Sequence, residues 1–178
     1  MSFDEWLIVA IHQYVAHPWF DIFFSWLSDR GTFTLPLLLL LIYQLIRYDR
    51  KNALKLIGWI GLTIALSDGM GQLLKILSAQ PRPCFSLYLQ YSWIEPCGAA
   101  LTGMPSNHAL NFFAVAMFIT LATPWRNWHI GLFSIAILVA ISRIYLVKHF
   151  PSQVFVGAIL GILIGWLIWN IKSKLSKN

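Results

Sequence analysis

Long apolar runs at 32–48, 53–77, 108–122, 128–147 and 152–171 dominate this chain, and they leave few folds open to it. A hydrophobic stretch near twenty residues crosses a bilayer as a helix, because inside lipid every backbone N–H and C=O must be satisfied within its own segment. Charged residues make up 11% of the chain and hydrophobic ones 58%, whereas soluble domains carry about 25% charged residues. The pattern predicts an all-α, polytopic membrane protein, with residues 1–178 forming one integral-membrane domain of six helices. The segment 3–27 is apolar and aromatic but interrupted by His12, His17-Pro18 and Asp21, and reads as an interfacial helix running into a short or broken first span. It lacks the basic start and small-residue cleavage site of a secretory signal, and opens instead with Asp4 and Glu5. Pro36 lies in the first turns of its run, where proline is tolerated. Trp59, Trp125, Trp128 and Trp166 lie within or at the ends of the runs, and the end positions fit aromatic interface belts.

The net charge of +6 is explained by placement and does not point to nucleic acid. With the C-terminus in the cytoplasm, one side collects Arg47, Arg50, Lys51, Lys55, Arg126, Lys172, Lys174 and Lys177. The other collects Arg30, Lys75, Arg82, Arg143 and Lys148. The positive-inside rule assigns the second group to the outer face. Six spans place both termini in the cytoplasm, and in a bacterium the outer face of the inner membrane is the periplasm.

Three polar islands interrupt the apolar background: Lys75 through Arg82-Pro83, then Pro105-Ser106-Asn107-His108, then Ser142-Arg143 with His149. Each lies at the edge of a run, and the topology brings all of them to the outer face. Ionisable groups in a membrane protein are costly and need a reason. Three fixed cations and two histidines converging on one spot point to a bound phosphate. Lys75 offers a point charge and Arg82 a planar fork, although singly they also read as a helix C-terminal cation and a loop charge. Ser106 suits an N-cap, and the free N–H groups after it make an anion site. Arg143 alone reads as a snorkelling side chain. His149 and Pro151 follow it at the mouth of the next helix, which Ser152 is expected to cap.

These residue types allow phosphoryl transfer. A neutral imidazole can attack phosphorus while cations neutralise the oxygens. A second histidine protonates the leaving oxygen and then activates water. Lysine and arginine supply the charge that a metal ion would bring, and no carboxylate cluster accompanies the histidines, so no cofactor or metal is expected.

The islands resemble the signature of the type 2 phosphatidic acid phosphatase (PAP2) superfamily, K-x6-R-P, P-S-G-H and S-R-x5-H-x3-D. Lys75, Arg82 and Pro83 complete the first element, Pro105 to His108 match the second, and Ser142, Arg143 and His149 match the third. The resemblance implies a six-helix membrane core, His149 as nucleophile and His108 as general acid and base. It also implies Lys75, Arg82 and Arg143 as phosphate ligands, helped by Ser106 and the Asn107 N–H. Two positions depart from the signature. Asn107 stands where the family has glycine, and Gln153 where it has the aspartate that orients and charges the nucleophile. The Gln153 amide oxygen can still accept the imidazole N–H, but it cannot stabilise a positive ring. Asp68 is either a substitute carboxylate or a structural partner of Lys75 or a neighbouring helix.

The loop 78–104 holds Cys84 and Cys97, which form a disulfide in an oxidising compartment or remain two free thiols; spacing alone does not decide. Its Phe85, Tyr88, Tyr91 and Trp93 either line a lipid entrance or form an interface belt. Taken together, the sequence predicts a metal-independent lipid phosphatase acting on a phosphorylated lipid at the outer leaflet. By overall likeness it leans to the lipid A 1-phosphatase type, with undecaprenyl pyrophosphate or phosphatidylglycerophosphate as alternative substrates. A non-catalytic lipid-phosphate binder or transporter is the rival that Gln153 raises. A soluble vanadium haloperoxidase relative would share the site, but the hydropathy excludes it. Nothing in the sequence sets the oligomeric state.

Overall fold

The computed structural model describes residues 1–48, 50–95, 97, 101–124 and 126–176, without the side chains of Arg126 and Asn127. Trp125, Lys177 and the Arg126 side chain, invoked above, lie outside the described residues. Every element among those residues is helical: α1 (Phe3–Tyr14), α2 (Pro18–Ser28), a π-helical turn (Arg30–Thr34), α3 (Leu35–Tyr48), α4 (Ala53–Ser78), α5 (Pro83–Ser86), α6 (Asn107–Ala122), α7 (Arg126–Tyr145) and α8 (Pro151–Leu175).

Local chemistry accounts for the boundaries. Ser2 and Glu5 form a reciprocal capping box on α1, with Glu5 N–H donating to Ser2 Oγ (3.2 Å) and Ser2 N–H to Glu5 Oε2 (2.7 Å). Pro18 sits at the first position of α2, where its missing N–H costs nothing, and His17 Nδ1 accepts from Trp19 N–H (3.3 Å). The break expected at His17-Pro18 is therefore real. It divides 3–27 into helices of 12 and 11 residues, each short of the roughly 20 residues a crossing needs. Among the described residues, four helical segments are long and apolar enough to cross, Arg30–Tyr48, Ala53–Ser86, Trp128–Tyr145 and Pro151–Leu175, and Asn107–Ala122 is a shorter apolar helix.

Both N-terminal helices are fastened to one end of the bundle. Asp4 accepts from the Ser152 N–H (3.1 Å) and from the Ser152 hydroxyl. The Tyr145 hydroxyl donates to Asp21 Oδ1 (2.6 Å), and the His17 N–H donates back to that hydroxyl (3.2 Å). Ser152 opens α8 and Tyr145 closes α7, so α1 and α2 lie at the end where the three polar islands also meet.

The packing centres on α6. Gly157, Gly161 and Gly165 recur every four residues and so share one face of α8. A Cβ on Gly157 would sit 2.7 Å from the Ser106 carbonyl oxygen, and a Cβ on Gly161 or Gly165 would overlap the Leu110 or Ala114 carbonyl. Small residues of this kind let helix backbones approach where no hydrophobic force drives them together. One apolar cluster joins Leu41, Leu45, Ile60, Phe118, Ile119 and Ile168; a second, beside the islands, joins Ala109, Phe113, Ala136, Ala140 and Val154. Leu39, Leu62, Leu66, Leu73, Ile130, Phe155 and Leu163 face outward, as a lipid-facing surface requires. Over the island end lies a third cluster of Cys84, Leu87 and Ile94, with Trp93, Val147 and Phe150 packed on it. Cys84 and Cys97 form a disulfide there (Cα–Cα 5.5 Å), which decides between the two thiol readings.

The glycine face yields a stability test. Gly161→Ala should destabilise by about 1–3 kcal/mol, since its neighbour is rigid backbone that cannot yield. Gly58→Ala and Gly61→Ala, where nothing lies within 4 Å of the added Cβ, should be neutral or mildly stabilising. Thermal unfolding in one detergent measures all three; equal melting shifts would refute the close approach.

Candidate active site

The inward face of α4 runs Thr63, Ser67, Gly71 and Lys75 at four-residue spacing. Small residues let α6 come close, and Lys75 is carried to the island end at 8% exposure. The helix stops at Ala79, which adopts a left-handed φ of 45° and whose N–H donates to the Lys75 carbonyl (3.0 Å). The chain then turns through Pro81 to Arg82 in extended conformation. Arg82 Nε donates to the Thr102 carbonyl (3.4 Å), which ties both strands of the loop together.

Ser106, Asn107 and His108 open α6. Ser106 occupies the N-cap position, but its side chain makes no capping bond, contrary to the expectation. Its Oγ is fully buried and unpartnered, beside a first turn whose N–H groups have no partner within the helix. The Asn107 side chain turns back into the bundle, where its Nδ2 donates to Asp68 Oδ1 (2.8 Å); Asn111 Nδ2 reaches the same oxygen (3.3 Å). Gly71 makes the room, since a Cβ there would overlap Asn107 Oδ1. Asp68 is thus a structural partner of the neighbouring helix. The asparagine that replaces the family's glycine and the carboxylate inside α4 explain one another.

Ser142 and Arg143 lie in the last turn of α7. Ser142 Oγ donates to the Val139 carbonyl (2.6 Å) and takes no further part. Arg143 Nη1 donates to Ser28 Oγ, while its Nε is buried and unpartnered. After Tyr145 a tight turn brings the N–H groups of Lys148 (3.0 Å) and His149 (3.1 Å) to the Arg143 carbonyl. Val147 pays for this turn with φ 55°, a strained value for a β-branched residue. Phe150 is the N-cap of α8, with Pro151 next; Ser152, expected to cap, instead holds Asp4.

His149 is 2% exposed. Its Nδ1 lies 2.8 Å from the Gly103 carbonyl oxygen and 3.3 Å from Gln153 Oε1. A carbonyl only accepts, so Nδ1 carries the proton and Nε2 keeps its lone pair. Burial, then the nearby charges of Arg82, Arg143 and Lys75, push the His149 pKa well below the ordinary imidazole value, so the ring is neutral. Gln153 is a hub. Its Oε1 also accepts from the Phe150 N–H (3.1 Å), its Nε2 donates to the Pro81 carbonyl (2.8 Å), and its backbone carbonyl accepts from the Ser106 N–H (3.1 Å).

Lys75, Arg82 and Arg143 all stand within electrostatic reach of His149, and Arg143 and Lys75 also reach His108. All eight candidate residues thus meet at one end of the bundle. The structure adds four that sequence reasoning missed. Gly103 and Pro81 contribute carbonyls, which no side-chain motif records. Gly103 must also lack a Cβ, which would sit 2.5 Å from the Pro81 oxygen. Ser28 accepts from Arg143, and its backbone hydrogen-bonds the His108 ring; Arg30 stands near Lys75, His108 and Arg143. Neither lies in a recognisable motif.

The PAP2 superfamily profile matches residues 56–177. Human dolichyldiphosphatase 1 is 34% identical over 140 residues, covering 67% of this chain and 55% of its own length. Lipid A 4′-phosphatase of Bacteroides thetaiotaomicron is 30% identical over 168 residues, covering 91% of this chain and 74% of its own. The crystal structure of Aquifex aeolicus LpxE superimposes with a TM-score of 0.75 at 27% identity, covering 96% of both chains. This chain belongs to the PAP2 superfamily, and it spans a little over half the length of the dolichyldiphosphatases it matches.

The Gln153 hub can be tested by stability alone. Gln153→Glu sets a carboxylate oxygen against the Pro81 carbonyl in place of an N–H donor. The loss should be about 1–3 kcal/mol at neutral pH, read as a lowered melting temperature. An unchanged melting temperature would show that the Gln153–Pro81 bond does not hold the loop.

Proposed function

We propose that this chain is an integral-membrane lipid phosphatase working without a metal through a phosphohistidine. The carrying observation is His149 itself: buried, neutral, with Nδ1 bound to the Gly103 carbonyl and three cations around it. His149 Nε2 attacks phosphorus, the bond from phosphorus to the headgroup oxygen breaks, and His108 gives that oxygen its proton. Water then loses a proton to His108 and attacks the phosphorylated ring. The phosphorus–nitrogen bond breaks and inorganic phosphate leaves. Lys75, Arg82 and Arg143 hold the phosphate oxygens, with the unpartnered Ser106 hydroxyl and the Asn107 N–H. A donor of this kind contributes about 3–4 kcal/mol to transition-state stabilisation. Gln153 acts as a positioning residue. The orienting role of the family's aspartate passes largely to the Gly103 carbonyl, while the negative charge that the aspartate sets beside a positive ring has no replacement at Gln153.

For the substrate we favour a phosphorylated lipid A-type headgroup, with the 1-phosphate as the expected group removed. A relative that aligns over 91% of the chain is a lipid A 4′-phosphatase, whereas the dolichyldiphosphatases align over about two thirds. A polyprenyl diphosphate is the second reading, carried by their 34% identity. The setting is a bacterial inner membrane, with the site facing the periplasm. The whole chain acts as one domain of five crossings, α3, α4, α6, α7 and α8, with α1 and α2 lying along the outer interface. The fastening of Asp4 and Asp21 to the island end supports this count.

One preparation tests these points. Purified protein is reconstituted in EDTA, and proteoliposomes are sorted by antibody to an N-terminal tag. Those with the tag outside should release phosphate from lipid A supplied outside, faster than from undecaprenyl diphosphate or phosphatidylglycerophosphate. Mass spectrometry of the product identifies the 1- or 4′-position. His149→Ala should bind lipid yet release no phosphate. Binding without turnover of any of the three lipids by the unaltered protein would make it a binder, and activity confined to vesicles with the tag inside would restore a sixth crossing.

A further inference from the structure

Beside the phosphate cradle lies a cavity of about 480 Å³, walled by α1, α2, the disulfide loop and the turn after α7. Arg143 and Ser28 line it, so the cavity and the cradle share a wall. Any group bonded to a phosphate held by Arg143 has this space open to it. The buried, unpartnered Arg143 Nε marks the shared wall as a place built for a ligand.

The lining says what kind of group fits. Asp21 lies in α2, Asp29 directly follows that helix, and Glu95 comes from the disulfide loop. Asp21 uses Oδ1 for the Tyr145 hydroxyl, and Asp29 uses Oδ1 for Thr32. Asp29 is held further by the backbone N–H groups of Arg30 and Gly31, while Asp21 Oδ2 and the Glu95 carboxylate have no protein hydrogen-bond donor among the described residues. Carboxylates only accept hydrogen bonds, so they welcome hydroxyl groups and repel phosphate oxygens. Against them the lining sets Lys148, once Arg143 is committed to the phosphate. Trp93 adds a rigid aromatic wall, stacked on His12 with centroids 3.6 Å apart. The volume lies within the range of small-molecule pockets and exceeds what a phosphate needs. Carboxylate acceptors around an aromatic wall suit a sugar ring.

We propose that this cavity is a glycosyl subsite, which takes the sugar bearing the phosphate and disfavours a second phosphate in the same place. It rests on the phosphatase reading and deepens it. The sugar's hydroxyl groups donate to Asp21, Asp29 and Glu95 while its phosphate lies on Lys75, Arg82 and Arg143. A polyprenyl diphosphate would bring its second phosphate against the same three carboxylates. Specificity would then be shared between Asp21 and Asp29, which lie outside the residues 56–177 that match the superfamily, and Glu95, which lies within them.

The test compares two substrates on the full chain in detergent, lipid A and undecaprenyl diphosphate. Asp29 caps the π-helical turn and is left intact; the variants are Glu95→Gln and the double Asp21→Asn/Glu95→Gln. Removing a charge-assisted bond should lower kcat/KM on lipid A about ten-fold in the double variant. Relief of like-charge repulsion should raise kcat/KM on undecaprenyl diphosphate by about three-fold. A parallel fall on both substrates would indicate a structural role and overturn the subsite, as would an unchanged rate on lipid A. Unaltered protein that hydrolyses undecaprenyl diphosphate but not lipid A would also overturn the subsite, while leaving the phosphatase reading in place. Hydrolysis of neither lipid would overturn the subsite, and a further failure on phosphatidylglycerophosphate would remove the phosphatase reading as well.

Discussion

The close approach of α8 to α6 is the constraint on which the rest of the structure depends. Three glycines at four-residue spacing let the α8 backbone lie against the carbonyls of Ser106, Leu110 and Ala114. In a bilayer, where lipid tails are as apolar as leucine, such contact has to come from backbone proximity and polar bonds. At the island end the approach finishes in a direct bond, the Ser106 N–H to the Gln153 carbonyl. His149 lies one turn before Gln153 and His108 two residues after Ser106. The two histidines therefore take their relative places from this one interface.

Around it, the polar groups divide into those that are satisfied and those that are not. Asp68 is held by Asn107 and Asn111, Ser67 Oγ donates to Asn111 Oδ1 (2.6 Å), and Gln153 spends its side-chain amide on Pro81, Phe150 and His149. These bonds hold the cradle in shape. Among the described residues around this interface, Ser106 Oγ, Arg143 Nε and Asn107 Oδ1 are left buried without partners. Unsatisfied buried groups are rare and call for an explanation; Asn107 Oδ1 faces Gly71 inside the bundle, and the other two lie toward the ends of α6 and α7, where the proposed phosphate would sit.

Much of this was legible in the sequence because it is carried by side chains at regular spacing. The runs gave the long apolar helices to within a few residues, and the Lys75, Arg82, His108, Arg143 and His149 pattern marked side chains that the fold gathers at one end of the bundle. The rest depended on backbone or on distant pairing. Gly103 acts through its carbonyl and its missing Cβ, and Pro81 through its carbonyl; neither leaves a side-chain signature. Ser106 and Ser152 have the composition of helix caps, but tertiary partners and burial overrode that local preference. Asp68 was readable as structural or catalytic, and only the facing Asn107 and Asn111 decide between them. The N-terminal segment was apolar enough for a span. Its break at His17-Pro18 and its bonds through Asp4 and Asp21 hold it at the site end, where Ser28 and Arg30 join the cradle.

The phosphohistidine is the claim most directly open to measurement. Purified protein mixed with lipid carrying ³²P in its terminal phosphate, quenched in alkali within one turnover, should yield labelled protein. Mass spectrometry should place an acid-labile phosphoryl group on His149. Label on another residue, or full turnover with no labelled protein at any quench time, would contradict His149 as the nucleophile.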